Sequence, residues 1–267
     1  MSTSRTPISA CIIAKDEADR IDRCLASVAW CDEIVVLDSG SRDDTVERCR
    51  RAGARVVETD WPGWVKQKQR AAEAASHDWV FSLDADERVD DELRDALLRV
   101  RDSGALAGDD APAAYAVRRR VWFLGRWIKH GGWYPEWRSR LFDRRRAHWA
   151  GVDPHDRVEA DGRVERIPVG HLEHYTFRSF DDYGAKMNRF STVAAEAKKE
   201  RGRVASWWDL VMRPGFRFFR MYVLRRGFLD GRAGYILARL ASTSVFLKYA
   251  KLWDLHQQQR PGPDEDA

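Results

Sequence analysis

The chain has no stretch of 18 uninterrupted apolar residues. Its best candidate, Ala233 to Ala250, is broken by Arg239 and Lys248, whereas a bilayer-crossing helix needs about 20 apolar residues. Met1 to Pro7 holds no apolar signal-peptide core and leads directly into an apolar segment, so the expectation is a cytoplasmic protein that neither spans a membrane nor is exported. Cysteine is scarce and crowded into the first fifth: Cys11, Cys24, Cys31 and Cys49, without C-x-x-C spacing or neighbouring histidines. That pattern offers no redox or metal motif and points to buried, reduced thiols. No G-x-G-x-x-G follows the first apolar run, which removes the dinucleotide-binding fingerprint. The charge surplus is also small, 46 Lys and Arg against 42 Asp and Glu, so this is no polycation built for nucleic acid.

What is present is a regular alternation. Ile8 to Ala14 is a nearly continuous apolar run, suited to a strand covered on both faces. Ala18 to Ala29 carries Ile21, Leu25 and Val28 at helical spacing, and Glu33 to Asp38 reads as a second buried strand. Ser41 with Asp44 matches a capping box opening a helix to about Ala52. Gly53 ends it before a third strand at Ala54 to Glu58, and a helix from Trp64 to Ala75 precedes a fourth strand at Trp79 to Leu83. Strand-helix alternation with short connections argues for an open parallel sheet wrapped in helices. Farther on, Tyr115 to Val117 and Arg140 to Phe142 read as antiparallel additions, and three helical stretches follow, Ser179 to Lys199, Trp207 to Leu224 and Gly234 to Leu255. A polar tail from Gln257 is expected to be disordered.

Ligands of such sheets sit outside the carboxyl ends of the strands, which is where Asp38 and the pair Asp84 and Asp86 fall. Two carboxylates spaced i, i+2 on an extended chain point to one side. They can share a hard divalent cation that keeps positions open for phosphate oxygens. The same spacing at Asp264 and Asp266, in the tail, reads as solvated charge.

Several motifs in chain order resemble those of family 2 glycosyltransferases. Ala14-Lys15-Asp16-Glu17 is similar to an "AKNE" start, Asp38 to Thr45 to "DSGSTDGT", and Leu83 to Glu87 to "LDADE". Tyr134 to Phe142 resembles "YPDWQLRLF", and His155-Asp156 stands where a His-Glu pair is usual. Gly227-Phe228-Leu229-Asp230-Gly231 resembles the "GFLDG" of the bacterial lipopolysaccharide core β-1,4-glucosyltransferase subgroup.

The resemblance implies a GT-A fold: an α/β, Rossmann-like open and mostly parallel sheet flanked by helices, with a helical C-terminal extension. It divides the chain into a catalytic domain over 1–178, a helical region over 179–256 and the tail over 257–267. Within the catalytic domain, 1–100 would be the nucleotide-sugar half and 101–178 the acceptor half. It also implies roles. Lys15, Glu17, Asp38, Gly40, Lys68, Gln69 and Asp84 would bind the donor nucleotide sugar, and Asp86 with Asp84 would hold Mg²⁺ or Mn²⁺. Asp156 would be the general base, with Glu159 and Asp153 as rivals. Two departures, Asp16 and Gln69 in place of asparagines, bear on those two positions.

Inverting sugar transfer needs a base behind the anomeric carbon, a cation to neutralise the departing diphosphate, and a pocket holding donor and acceptor in register. Trp133, Trp137 and Arg138, with Trp122 and Trp127, lie in the segment expected to face the acceptor, since aromatic faces stack on sugars and arginine grips anions. Core packing is the alternative for part of this set. His171 and His174 have no third ligand at convincing spacing, and His174 is a candidate donor to the diphosphate. Arg213, Arg217 and Arg220 flank Phe216, Phe219 and Val223 at helical spacing. A basic amphipathic helix of this kind suits the anionic inner face of the cytoplasmic membrane, where a lipid-linked glycan acceptor would lie. Ordinary packing on the catalytic domain gives the same pattern. A nucleotidyltransferase would need a glycine-rich basic loop after the first strand, which Lys15-Asp16-Glu17-Ala18 is not. A nucleic-acid binder would leave the strand-end carboxylates unexplained.

Overall fold

A computed structural model describes residues 5–108, 110–153 and 155–257. The chain forms two compact units. One comprises the residues up to Arg120 together with Pro135–Thr176, and the other Val121–Tyr134 together with the chain from Phe177.

In the first unit, β1 (Ile8–Ala14), β2 (Glu33–Asp38), β3 (Arg55–Glu58) and β4 (Trp79–Asp84) form the parallel part of the sheet, in the order β3-β2-β1-β4. Every residue of β1 is buried. Ile8, Ala10 and Ile12 join one apolar cluster with Ile21, Leu25 and Val28, whereas Cys11 and Ile13 join another with Leu37, Ala71 and Phe142. A strand packed on both faces cannot alternate polar with apolar, which is why this segment is one continuous apolar run. Cys11, Cys24, Cys31 and Cys49 are free thiols, and burial pushes that of Cys49 up to about 11.

Helices α1 (Ile21–Ser27), α2 (Thr45–Arg51), α3 (Trp64–Ala74) and α4 (Asp91–Asp102) flank the sheet. Beyond β4 it continues through β8 (Glu136–Asp143), β6 (Ala114–Phe123), β11 (Val164–His174) and the short β5 (Glu87–Val89). The pairs β4–β8, β8–β6 and β11–β5 are antiparallel. Strands β9 (Ala147–Val152) and β10 (His155–Ala160) form a separate antiparallel hairpin.

Two expectations change here. Ser41 does not cap α2: its hydroxyl donates to Asp38 and accepts from the Asp16 amide (2.9 Å), while Asp43 Oδ1 accepts from the Thr45 amide (3.0 Å). The helix therefore starts at Thr45, later than the capping-box pattern suggested. Asp84 and Asp86 are not on one extended strand either. Residues 85 and 86 turn the chain into β5, so the period-two rule does not set the directions of the two carboxylates.

In the second unit, the last residues of β6 pair with β7 (Arg126–Ile128) as a hairpin. Helices α5 (Phe180–Glu200), α6 (Trp207–Phe219) and α7 (Gly231–Gln257) make up the rest, with a π-helical turn at Arg220–Leu224 and a 3₁₀ turn at Gly227–Asp230. Residues 121–134 belong to this unit, where Phe123 and Ile128 share a core with Ala233 and Leu237. Asp230, 1% exposed, accepts from the Lys129 amide (3.1 Å), the His130 amide (2.7 Å) and pairs with His130 Nδ1 (3.1 Å). Gly234 is required by packing: a Cβ there would lie 1.8 Å from the Gly227 carbonyl oxygen. Helix α7 ends at Gln257, and the tail expected to be disordered lies, from residue 258, outside the described residues.

At the opposite edge from the strand ends, Glu33 ties three segments together. It accepts from Ser9 Oγ (2.6 Å), from the Ser76 amide and hydroxyl (2.8 Å each) and from Arg55 (2.8 Å). Burial opposes its ionisation, but these donors outweigh burial and lower its pKa to about 2. The stability Glu33 contributes is present above its unfolded value of about 4.3 and is lost as pH falls toward 2. An acid titration of unfolding should show Glu33→Gln converging with the wild type at the low end of that window and falling below it at neutral pH. Separately, Asp230→Ala strands buried amides and should cost about 3 kcal/mol, lowering the thermal midpoint by about 6–12 °C.

Candidate active site

The register of the parallel strands brings Ala14 beside Asp38, and Ile13 beside Asp84. The ends of β1, β2 and β4 thus share one edge of the first unit, and other elements deliver side chains to it. Lys68, on the buried face of α3, is 3% exposed. Its Nζ donates to Asp84 Oδ1 and to Asp156 Oδ2, both at 2.8 Å. Asp156 points inward because β10 alternates: His155, Arg157 and Glu159 are exposed, while Asp156, Val158 and Ala160 are half-buried. From β8, Arg140 donates to Glu87 Oε1 (2.7 Å) and Asp84 Oδ2 (3.2 Å). Glu87, 1% exposed, also accepts from the Asp84 amide (3.0 Å). Trp149 of β9 presents its ring to both cations, 4.8 Å from Lys68 Nζ and 5.6 Å from the Arg140 guanidinium. Burial works against charge on Asp84, but the Lys68 and Arg140 cations hold its carboxyl far below the usual range. Burial would likewise lower Arg140, yet Glu87 and Asp84 raise it.

These groups border a cavity of about 150 Å³. Trp137 and Arg138 line its other side. Arg138 is held by Glu136 (2.7 Å) and by the Asp156 carbonyl (3.3 Å), and the Arg166 guanidinium lies 4.9 Å from the Trp137 ring. Trp133 is elsewhere: it packs in the second unit against the cluster of Phe123, Ile128, Ala233 and Leu237. Of the rivals to Asp156, Glu159 is exposed and paired with Arg157, and Asp153 accepts from the Val65 amide (2.9 Å) at the start of α3.

Asp86 lies in the turn after β4. The antiparallel register of β11 with β5 places His174 opposite Glu87, and the Tyr175 amide donates to the Asp86 carbonyl (2.9 Å). His174 Nε2 consequently lies 3.4 Å from Asp86 Oδ2. Burial disfavours ionised Asp86, but His174, by charge and hydrogen bond, lowers its pKa to about 2. One carboxylate and one imidazole at this separation fit two corners of a divalent cation's shell, leaving the others for phosphate and water. No cluster of three or more His, Cys, Asp or Glu is found among the described residues. Asp84, expected as the second metal ligand, has its oxygens engaged by Lys68 and Arg140.

The remaining donor-side residues differ in placement. Lys15 is exposed on the loop after β1. Glu17 pairs with Arg20 (2.5 Å), whose guanidinium also reaches the Tyr175 carbonyl (2.5 Å) and lies 3.9 Å from Asp86. Asp38, expected to touch base or ribose, is 1% exposed and closes its own loop, Oδ2 accepting from the amides of Gly40 (2.9 Å) and Ser41 (2.8 Å). Gly40 permits that loop through its φ of +80°. Gln69 is a strut: it accepts from the Trp149 amide (2.9 Å) and donates to Glu73 (2.8 Å). Its neighbour Gln67 is the buried one, donating to Ser39 (3.0 Å) and Thr59 (2.9 Å).

The sequence reading gave no role to Arg140, Glu87, Trp149 or Arg20. The available signal for Arg140 was its spacing of two from Arg138 within a strand, which puts both on the cavity face.

The strand-end edge thus gathers Asp84, Glu87 and Asp156 around Lys68 and Arg140 beside one cavity. Residues 9–160 match the sequence profile of Glycosyl transferase family 2, and the chain belongs to that family. It is 31% identical to the lipopolysaccharide core biosynthesis glycosyltransferase LpsC of Rhizobium meliloti (strain 1021), over 98% of this chain and 97% of that protein. An uncharacterized glycosyltransferase of Rickettsia felis is 30% identical over 92% of this chain and 89% of its own length. Among solved structures, glucosyl-3-phosphoglycerate synthase from Mycobacterium tuberculosis, in complex with Mn²⁺, UDP and glucosyl-3-phosphoglycerate, is 22% identical, with a TM-score of 0.47, covering 77% of this chain and 83% of that one.

Removing Arg140 takes away the buried cation that Glu87 and Asp84 share, leaving Glu87 only the longer contact to Arg119 (3.4 Å) and Asp84 only Lys68. Arg140→Leu should destabilise the protein by about 3–5 kcal/mol, and Arg140→Leu combined with Glu87→Leu should recover much of that loss. Denaturant titrations of the single and double variants measure the coupling.

Proposed function

We propose that this family 2 glycosyltransferase is an inverting, metal-dependent hexosyltransferase. On this reading it moves a hexose, glucose by analogy with the resembled subgroup, from a UDP-sugar to a lipid-linked glycan of lipopolysaccharide-core type. The observation that carries the reading is the Lys68 bridge, which holds Asp84 at a strand end and Asp156 across the cavity in one arrangement. The relative from R. meliloti, similar over nearly the whole chain, supports the choice of acceptor class.

In the reaction, the acceptor oxygen forms a bond to the anomeric carbon as the bond from that carbon to the diphosphate oxygen breaks. Asp156 takes the proton of the acceptor hydroxyl. Arg138 and Trp137 hold the acceptor beside it, and Trp149 closes the floor. Asp86 and His174 are the residues that would hold Mn²⁺ or Mg²⁺. When bound, the cation neutralises charge on the diphosphate. Arg20 lies close enough to Asp86 to fix its orientation. Among the described residues no helix is long and apolar enough to cross a membrane; the proposed route to a lipid-linked acceptor is peripheral contact with the inner face of the cytoplasmic membrane, made by the basic amphipathic segment of α6.

Calorimetry and turnover separate the roles. Asp156→Asn should keep Mn²⁺-dependent UDP-sugar binding and lose about 10²–10⁴-fold in kcat. Asp86→Ala should lose the Mn²⁺-dependent part of binding itself. Full turnover in Asp156→Asn would give the base role to another group, and absence of UDP-sugar binding to the folded wild type would remove UDP as the donor nucleotide.

A further inference from the structure

The second unit holds a cavity of about 590 Å³ between α6 and α7 that plays no part in the chemistry above. Volumes of this order accommodate small ligands. Arg213, Arg217, Arg220 and Lys248 all border it. Arg213 is paired with Asp209 (2.5 Å), and Asp209 is further engaged by Ser206 and Arg203. For Arg217, Arg220 and Lys248, no carboxylate lies within ion-pair distance among the described residues. Burial and the neighbouring cations lower the pKa of both Arg217 and Lys248, outweighing the opposing pull of Asp209 on Lys248. The imbalance is regional: Trp207 to Gln257 carries nine Lys and Arg against three Asp.

The rim of the same cavity is apolar and open. Trp208 is 63% exposed, Met212 47% and Phe216 60%. Phe219 and Val223 continue the row at helical spacing, and Trp207, beside it, is 82% exposed. An exposed apolar row alone would not name its partner. Here it borders a pocket of uncompensated cations, and that combination is complementary to one thing in particular: a surface with anionic phosphates at its face and hydrocarbon beneath.

We propose that the cavity between α6 and α7 seats the phosphate headgroup of an anionic lipid, gripped by Arg217, Arg220 and Lys248, with Trp208, Met212 and Phe216 inserted among the acyl chains. The proposal rests on the membrane-surface reading above and is independent of the donor chemistry. It makes lipid recognition a built pocket rather than diffuse attraction.

The test is co-sedimentation of the full chain with vesicles of phosphatidylcholine alone, or of phosphatidylcholine doped with phosphatidylglycerol. Wild type should pellet with the doped vesicles and weakly with the neutral ones. Arg217→Gln and Lys248→Gln should each weaken binding to doped vesicles about fivefold, and together about thirtyfold, with the thermal midpoint unchanged. Arg217→Lys should retain binding, and Phe216→Ser should weaken it on both vesicles. If the double glutamine variant binds like wild type while wild type still prefers doped vesicles, the pocket is overturned and the membrane reading stands. If wild type pellets with neither vesicle, both fall. Displacement by soluble glycerol phosphate would overturn the lipid as occupant in favour of a free phosphate compound.

Discussion

Lys68 and Arg140 are the constraint on which the first unit depends. Each is almost wholly removed from water and each bridges two carboxylates: Lys68 joins Asp84 to Asp156, and Arg140 joins Asp84 to Glu87. Taking one such ion out of water costs several kcal/mol, and only close, well-directed partners offset it. The network therefore fixes the mutual placement of α3, β4, β5, β8 and β10. Displacing any one of these elements would leave a buried charge uncompensated. That stringency suits a reacting centre, where side chains have to be held within a fraction of an ångström before substrate arrives.

The parallel strands were legible because each carries its own signal. β1 is a run of apolar residues buried on both faces, and the short turns between strands and helices leave few topologies open. The position of Asp84 at a strand end followed from that alone. The direction of Asp86 did not, because a two-residue turn begins where the strand stops, and turn geometry is set by partners distant in sequence. His174 reaches Asp86 only through the pairing of β11 with β5, across 88 residues of chain. No spacing rule sees such a contact. Asp38 shows the converse: its motif was recognised, but the motif holds the loop in shape through its own amides and places the carboxylate under the loop.

Residue type alone did not separate the tryptophans. Trp133 and Trp137 stand four apart in sequence, yet Trp137 lines the cavity and Trp133 packs beside Ile128 and Leu237. The division between compact units falls between them, at Tyr134 and Pro135. A local pattern rich in aromatic residues says that large apolar surfaces will be buried, but not in which core. Gly227-Phe228-Leu229-Asp230-Gly231 is instructive in the same way. Its conspicuous residues serve packing: Asp230 collects the amides of the 129–130 loop, and Gly227 leaves room for the Met221 carbonyl, 2.7 Å from where its Cβ would lie. A motif that marks a subgroup need not touch its substrate.

The charge of the chain is uneven in a physically meaningful way. Around the Asp84 cavity, cations and carboxylates are interleaved, and the strongest contacts are between them. Along α6 and the start of α7 the carboxylates are few, and three cations border a cavity without one. A net charge of +4 for the whole chain averages over these two regimes and conceals both. Self-compensated charge holds a site in shape and presents little field outward, whereas uncompensated charge beside exposed aromatic rings stores attraction for an outside anion. The first arrangement suits a small, geometrically demanding transfer. The second suits a partner that brings many phosphates and an apolar interior, and an acceptor anchored in a lipid surface would join the two requirements in one protein.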